Sequence, residues 1–238
     1  MARAHPNTIQ SRKHFDLLAA QYDALFVPRL GSYEAMHDVI LSMLPAPDER
    51  ALRVLELGPG TGNLTRKVLE RLPNSRVVGY ELSAEMLAQA REKLTAMLDR
   101  VHLIEADISQ AAFDGPFDVV VSAIAVHHVP PRAKPALFRR LYSALQPGGV
   151  LIVGDTFRAA TPALDATYRQ LRAAAPSDAA PQTAAYETYR QQAGPAGGSS
   201  TYLSHYLRWL GQSGFHSVDC VWKHFSLAVV YGERPLAA

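Results

Sequence analysis

The 238-residue sequence has a single cysteine, Cys220. An intrachain disulfide is therefore impossible, and a four-cysteine zinc site is excluded. Charge is scarce too: 19% of residues are Asp, Glu, Lys or Arg, and the net charge is +2. So small a basic excess argues against a nucleic-acid-binding surface. Long apolar runs are missing. The longest, Val119 to Val126, is broken by Ser122 and falls far short of the roughly 20 residues a membrane helix needs. The opening residues, Met1 to Phe15, hold no apolar stretch of the signal-peptide kind, so a cytoplasmic location is expected. There are no internal repeats. Core-forming residues are plentiful, at 48% hydrophobic, enough for a packed globular chain.

From residue 52 short β-rich runs alternate with helix-period segments, the pattern of a parallel sheet covered by helices. Strands are expected at Arg53–Leu57, Arg76–Glu81, Val101–Glu105, Phe117–Ile124 and Val150–Gly154. Helices are expected at Asn63–Leu72, capped by Asn63, and after Ser83, where Met86, Ala90, Leu94 and Met97 form one apolar stripe. A third, Arg132–Leu145, runs into the turn Gln146-Pro147-Gly148-Gly149. Residues 51–157 form this core. Before it, residues 1–50 read as a helical lid, Ser11–Leu25 and Tyr33–Leu44, broken near Pro28. After it, residues 158–200 read as a cap insertion with a helix at Pro162–Ala175 and a hinge-like end rich in Gly and Ser. Residues 201–238 complete the core with a helix, Thr201–Gln212, and the strands Ser217–Trp222 and Phe225–Tyr231.

The sharpest local signal is Val54-Leu55-Glu56-Leu57-Gly58-Pro59-Gly60-Thr61-Gly62-Asn63, a strand running through glycines straight into a helix. Glycine lets a ligand approach the backbone closely, and ligands of open α/β sheets sit at the carboxyl ends of the strands. Nineteen residues after Gly62, Glu81 ends the next strand, where a carboxylate can accept hydrogen bonds from both hydroxyls of a ribose. The dinucleotide fingerprint needs glycine where Asn63 stands, and Pro59 removes an N–H from the turn, which disfavours a nicotinamide dehydrogenase. No Gly-Lys-Ser/Thr follows, so a Walker loop fails as well.

The segment Val54 to Gly62 resembles the first motif of class I S-adenosylmethionine-dependent methyltransferases. Later motifs follow in order at Gly79–Ser83, Glu105–Ile108, Phe117–Ser122 and Leu145–Leu151. The resemblance implies a Rossmann-like α/β fold: a seven-stranded, mostly parallel sheet with the last strand antiparallel and helices on both faces. It implies S-adenosylmethionine as cofactor and S-adenosylhomocysteine as product. Gly58, Gly60 and Gly62 would approach the methionine part, with Glu56 near its amino group. Glu81 would take the ribose, Leu82 the adenine face, Asp107 the adenine amino group and Ile108 the ring through its N–H. Ser122 and Ala123 would floor the sulfonium. Phe15 and Gln21-Tyr22-Asp23 resemble the family's lid helix, with Tyr22 over the cofactor. Asp118, at the entering end of its strand, is structural.

His127 and His128 follow the fourth strand and are the candidate catalytic groups, as base or acceptor-positioning residue. Alternation along a continued strand would turn only one of them to the pocket. Lacking an evident carboxylate or thiol partner, they make no metal site. The place of the Asn/Asp-Pro-Pro-aromatic motif of nucleic-acid amine methyltransferases reads Ser122-Ala123-Ile124-Ala125, so the chain is closer to small-molecule enzymes of the ubiquinone/menaquinone type. Five tyrosines, Tyr168, Tyr186, Tyr189, Tyr202 and Tyr206, cluster in or just after the cap, as a roof over a planar acceptor or as cap packing. The partner expected is a small-molecule acceptor, methylated on oxygen, nitrogen or carbon. The alternatives are an RNA-related S-adenosylmethionine enzyme and a non-catalytic binding module. For the first, Val27–Tyr33 faintly resembles the lid of carboxy-S-adenosylmethionine synthase, and Arg3, Arg12 and Lys13 could touch phosphate.

Overall fold

The structure is a computed structural model, and it describes residues 6–25, 32–46, 50–174 and 201–237. Seven strands form one sheet in the order β3-β2-β1-β4-β5-β7-β6. They are β1 (Arg53–Leu57), β2 (Arg76–Glu81), β3 (Val101–Glu105), β4 (Phe117–Ala123), β5 (Leu145–Thr156), β6 (His216–His224) and β7 (Leu227–Glu233). The first five run parallel, and β7 is antiparallel to both β5 and β6. Strand order reverses between β1 and β4, which opens a crevice at their carboxyl ends.

Alternating residues supply the two faces. Val54, Val119, Val121 and Ile152 pack beneath α3 (Tyr33–Ser42) and α4 (Asn63–Arg71). Leu55, Leu57, Val120 and Leu151 pack beneath α6 (Lys134–Ala144) and α8 (Leu203–Gln212). Burial of β1 and β4 on both faces is what their continuous Val and Leu runs require. The helix α5 (Ala84–Lys93) buries Met86 and Ala90, with Leu94 just beyond it, and carries the lid contact of Leu18 and Ala19. Among the described residues no helix is long and apolar enough to cross a membrane.

The structure departs from the sequence expectations at particular joints. The first helix is α1 (Pro6–Leu18), a tight 3-10 turn at Ala19–Gln21 and a short α2 (Tyr22–Leu25) rather than one helix from Ser11. Ser83 does cap α5, accepting from the Met86 N–H at 3.1 Å. Asn63 does not cap α4: Gly62 is the cap residue, at φ +86°, and the Asn63 side chain is drawn to Asp23 instead. Gln146–Gly149 is an irregular start of β5 rather than a turn. The pairing steps from Phe117↔Leu145 to Val119↔Val150, and Gly148 and Gly149 bond the backbone of Arg234 at the end of β7. The strand β4 stops at Ala123 because Ile124 turns to φ +55°. The cap helix is α7 (Pro162–Ala174), and the segment containing it leaves and returns at a bridge between Arg158 and Tyr202. The break near Pro28, the hinge at 194–200, Arg3, Tyr186 and Tyr189 lie outside the described residues.

Candidate functional site

At the switch point a cleft opens between the glycine loop, the ends of β2 to β4 and the lid. The three loop glycines all have positive φ, yet each serves a different need. A Cβ on Gly58 (φ +66°) would meet Ala125 Cβ at 2.4 Å, so that residue is pressed against the loop after β4. A Cβ on Gly62 would meet Leu94 at 3.1 Å and the Ala90 Cα at 3.4 Å, because the start of α4 lies against the end of α5. Around Gly60 (φ +56°) nothing lies within 4 Å of the added atom. Gly60 thus leaves open backbone on the cleft, a cradle that a ligand can fill.

Glu81 faces this cradle from the end of β2. Its Oε1 accepts from the N–H groups of Leu82 (2.8 Å) and Ser83 (3.0 Å), and its Oε2 from Gly60 N–H at 3.2 Å. Burial raises its pKa despite these bonds. Further along the wall, Asp107 Oδ1 accepts from Ser109 N–H at 2.8 Å, which shapes the turn after β3. Arg140 locks that turn from α6, donating to the carbonyls of Ile108, Ser109 and Ala111 at 2.8–3.1 Å.

The lid is tied to both banks. Asp23 accepts from Thr61 Oγ1 (2.7 Å), Asn63 Nδ2 (2.9 Å) and Lys93 Nζ (2.5 Å), pinning α2 onto the glycine loop. Ser83 Oγ donates to Asp16 at 2.6 Å. Arg12 donates to Leu82 O at 3.0 Å and pairs with Glu105, so it is engaged with the core rather than held out as a phosphate-seeking tail.

Beyond Ala123 the chain makes a 3-10 turn, Val126–His128, and no strand continues. The two histidine rings lie 3.8 Å apart, tilted by 41°, and of the two only His128 reaches the cleft wall, in a T-shaped contact with Phe15 at 4.9 Å. Burial chiefly, with the neighbouring His127, His14 and Lys134, holds its pKa well below the usual imidazole range. His127 turns inward, its Nδ1 2.7 Å from Asp155 Oδ1. Asp155 also accepts from Tyr206 Oη at 3.3 Å, and Lys134 Nζ donates to Thr201 Oγ1 at 2.9 Å and His127 O at 3.4 Å. Burial lowers the Lys134 pKa to about 8, with Asp155 opposing that shift. Asp155 thus gives His127 the carboxylate partner that the sequence did not reveal.

Of the sequence-derived candidates, Tyr22, Gly58, Gly60, Glu81, Leu82, Asp107, Ile108, Ala123 and His128 line the cleft. Four stand behind its wall. Glu56 is sealed in the core, where Thr65 Oγ1 donates to it at 2.6 Å and burial pushes its pKa up to about 7. Ser122 is fully buried and donates to Leu57 O at 2.8 Å. Gly62 serves helix packing, and His127 serves the Asp155 network. Asp118, as expected, is remote and structural, accepting from Arg53 N–H and Arg50. The described cap tyrosines pack elsewhere: Tyr206 between Phe138 and Phe157, Tyr168 against Phe225, and Tyr202 beside Arg158. The aromatic wall comes instead from Phe15, Tyr22, Tyr33 and Tyr80. Of these, Tyr33 and Tyr80 were missed, although Tyr80 stands beside Glu81 at the strand end and Tyr33 opens a lid helix.

Comparison with known proteins agrees with this geometry. Residues 54–149 match the family described as "Methyltransferase domain". A trans-aconitate 2-methyltransferase from Rhodopseudomonas palustris is 40% identical over 48% of this chain and 41% of its own length. A demethylmenaquinone methyltransferase from Thermus thermophilus is 37% identical over 58% of this chain and 62% of its own. The matched region thus spans about half the length of these curated relatives. A solved structure described as a DhpI-SAM-HEP complex superposes with a TM-score of 0.67 at 25% identity, covering 97% of this chain and 99% of that one. Residues 54–149 are thus similar to a methyltransferase domain, and the chain as a whole shares the fold of the DhpI structure.

Proposed function

We propose that the chain is an S-adenosylmethionine-dependent methyltransferase acting on oxygen, nitrogen or carbon of a small-molecule acceptor. The observation that carries this reading is the pairing of Glu81 with the open backbone of Gly60 across one cleft. Oε1 of Glu81 already accepts two N–H bonds, whereas Oε2 accepts one and keeps a lone pair for a ribose hydroxyl. In this reading Leu82 and Ile108 flank the adenine, Asp107 takes its amino group, and Ala123 floors the reacting end. Tyr22 closes over the cleft from the lid that Asp23 fastens. Glu56, Gly62 and Ser122 act at one remove: Glu56 ties β1 to α4 through Thr65, Ser122 ties β4 to the end of β1, and Gly62 starts α4.

When bound, the cofactor supplies a methyl group activated on a sulfonium, whose C–S bond breaks toward sulfur as an acceptor lone pair bonds to carbon. The chain's task is chiefly alignment, which can contribute up to about 7–11 kcal/mol. A general base adds only ~10²–10⁴-fold. His128 is the group at the wall able to accept a hydrogen bond from an acceptor O–H or N–H, and His127, fixed by Asp155, backs its ring.

Calorimetry against S-adenosylmethionine, S-adenosylhomocysteine and NAD tests the cofactor assignment. Both adenosyl ligands should bind, NAD should not, and Glu81→Ala should weaken binding at least tenfold, as loss of a hydrogen-bonded charge does. Unchanged affinity in that variant would remove the central claim.

A further inference from the structure

The other end of the sheet carries an open groove of its own. At the amino ends of β1 to β3, opposite the crevice at their carboxyl ends, it is lined by Arg53, Arg76, Arg100, His102 and Asp99 over a floor of valines. Arg53 and Arg76 are register partners on neighbouring parallel strands, and Arg76 and Arg100 stand just before the paired residues Val77 and Val101. Three arginines therefore lie side by side across the edge of the sheet. Like charges placed side by side in a sheet repel. Among the described residues none of the three has an ion-pair partner, and Asp99, the one carboxylate lining the groove, is unpaired as well.

Two of the guanidiniums are held in place without being neutralised. Arg53 leans to the turn before β4, donating to Pro116 O at 2.9 Å and Asp114 O at 3.1 Å, with its guanidinium 5.0 Å from the centre of the Phe117 ring. Arg100 leans the other way, to the end of α4, and donates through Nη1 to Pro73 O at 2.8 Å and Leu69 O at 3.3 Å. A carbonyl accepts a hydrogen bond but leaves the cation its charge and its other N–H groups. Arg76, between them, is exposed and has no hydrogen-bond partner among the described residues. His102 adds a ring N–H. From this row we infer that the groove binds a small polyphosphate anion, a short chain of linked phosphates, at a site separate from the cofactor cleft. Guanidinium forks match phosphate oxygens in pairs, and donors already fixed lose little freedom on binding. Strands about 4.8 Å apart spread the row over roughly 10 Å, so linked phosphates span all three arginines where a single phosphate does not. A net charge of only +2 supplies no wider field to draw in a long nucleic acid.

Calorimetry of the full chain with inorganic triphosphate tests this, with S-adenosylhomocysteine present throughout to occupy the cofactor cleft. Triphosphate should bind at low salt, more tightly than orthophosphate, and its affinity should fall as sodium chloride is added. Arg76→Gln removes one charge-assisted contact and should weaken binding about tenfold. That variant should melt no lower than the wild type, because the side chain has no partner among the described residues to lose. Arg208→Gln, at an exposed cation on α8, should leave the affinity unchanged. No heat from triphosphate, an affinity indifferent to Arg76→Gln, or an equal loss in Arg208→Gln overturns the inference. So does a single-stranded RNA oligonucleotide that binds more tightly than triphosphate and is weakened by Arg76→Gln, which would make the groove a nucleic-acid surface. The groove lies at the opposite end of the sheet from the cleft, so each of these outcomes leaves the cofactor reading where it stands.

Discussion

Gly58 and Gly60 have the same backbone conformation, φ +66° and +56°, but opposite surroundings, and alanine at each position separates two costs. An L-residue in the left-handed region costs roughly 1–2 kcal/mol, and both variants carry that cost. Gly58→Ala adds a second one, because its Cβ would lie 2.4 Å from Ala125 Cβ. Forcing apart a packed pair costs typically about 1–3 kcal/mol. Gly58→Ala should therefore lose roughly 2–5 kcal/mol in all. At about 2–4 °C per kcal/mol for a chain of this size, that lowers Tm by some ~4–20 °C. Gly60→Ala should lose only the conformational part. Urea unfolding followed by circular dichroism gives both values, and the double variant Gly58→Ala/Ala125→Gly isolates the clash. It should regain most of the second cost, less about 0.5–1 kcal/mol for the new glycine. If Ala125→Gly recovers nothing, or if Gly60→Ala is as damaging as Gly58→Ala, the assignment of Gly58 to a β4-loop contact is wrong. Adenosyl binding runs the other way: Gly60→Ala, although the more stable variant, fills the cradle and should bind S-adenosylhomocysteine poorly.

Two buried groups should impose opposing pH dependences on stability. His37 is fully buried, with no hydrogen-bond partner for either ring nitrogen among the described residues, and burial lowers its pKa from 6.5 to about 4. Its contribution is complete above pH 6.5 and is lost as pH falls toward 4, while that of Glu56, raised from 4.5 to about 7, is complete below 4.5 and lost as pH rises through 7. Each amounts to about 3 kcal/mol. Against wild type, His37→Phe should tilt stability downward across pH 4.5–7 and Glu56→Gln upward, by chemical denaturation at each pH; parallel profiles would refute the pairing. In the network behind His128, Asp155→Ala should cost about 3–5 kcal/mol, because it removes the acceptor of His127 and Tyr206 and the negative charge that acts on buried Lys134. Lys134→Met/Asp155→Leu should recover much of that loss in thermal melts, and a double variant as unstable as Asp155→Ala would show that the charge coupling of Lys134 and Asp155 is not the source.

The sheet was legible because its signals are local. Short β-rich runs alternating with helix-period segments located β1, β2 and β3 with the bounds the structure shows, and the first motif placed the glycine loop. Where the reading failed, the deciding contact came from far along the chain. Asn63 has the right chemistry to cap α4, but Asp23, forty positions earlier, offers its side chain a better partner. Gln146–Gly149 has turn composition, yet the end of β7 is there to bond it and keep it in the sheet. The histidine pair shows the same limit within a functional site. Strand alternation correctly allowed one of the two to face the cleft, but for a reason the structure does not share. A 3-10 turn after Ile124 carries His128 to the wall, and Asp155, twenty-eight positions on, holds His127 inside. The β5 end of the sheet was visible in the sequence, and Asp155 lies on it. What could not be read was that a parallel neighbour of β4 brings this carboxylate within 2.7 Å of an imidazole. Local patterning therefore names the residues that can do chemistry, whereas sheet order decides which of them meet.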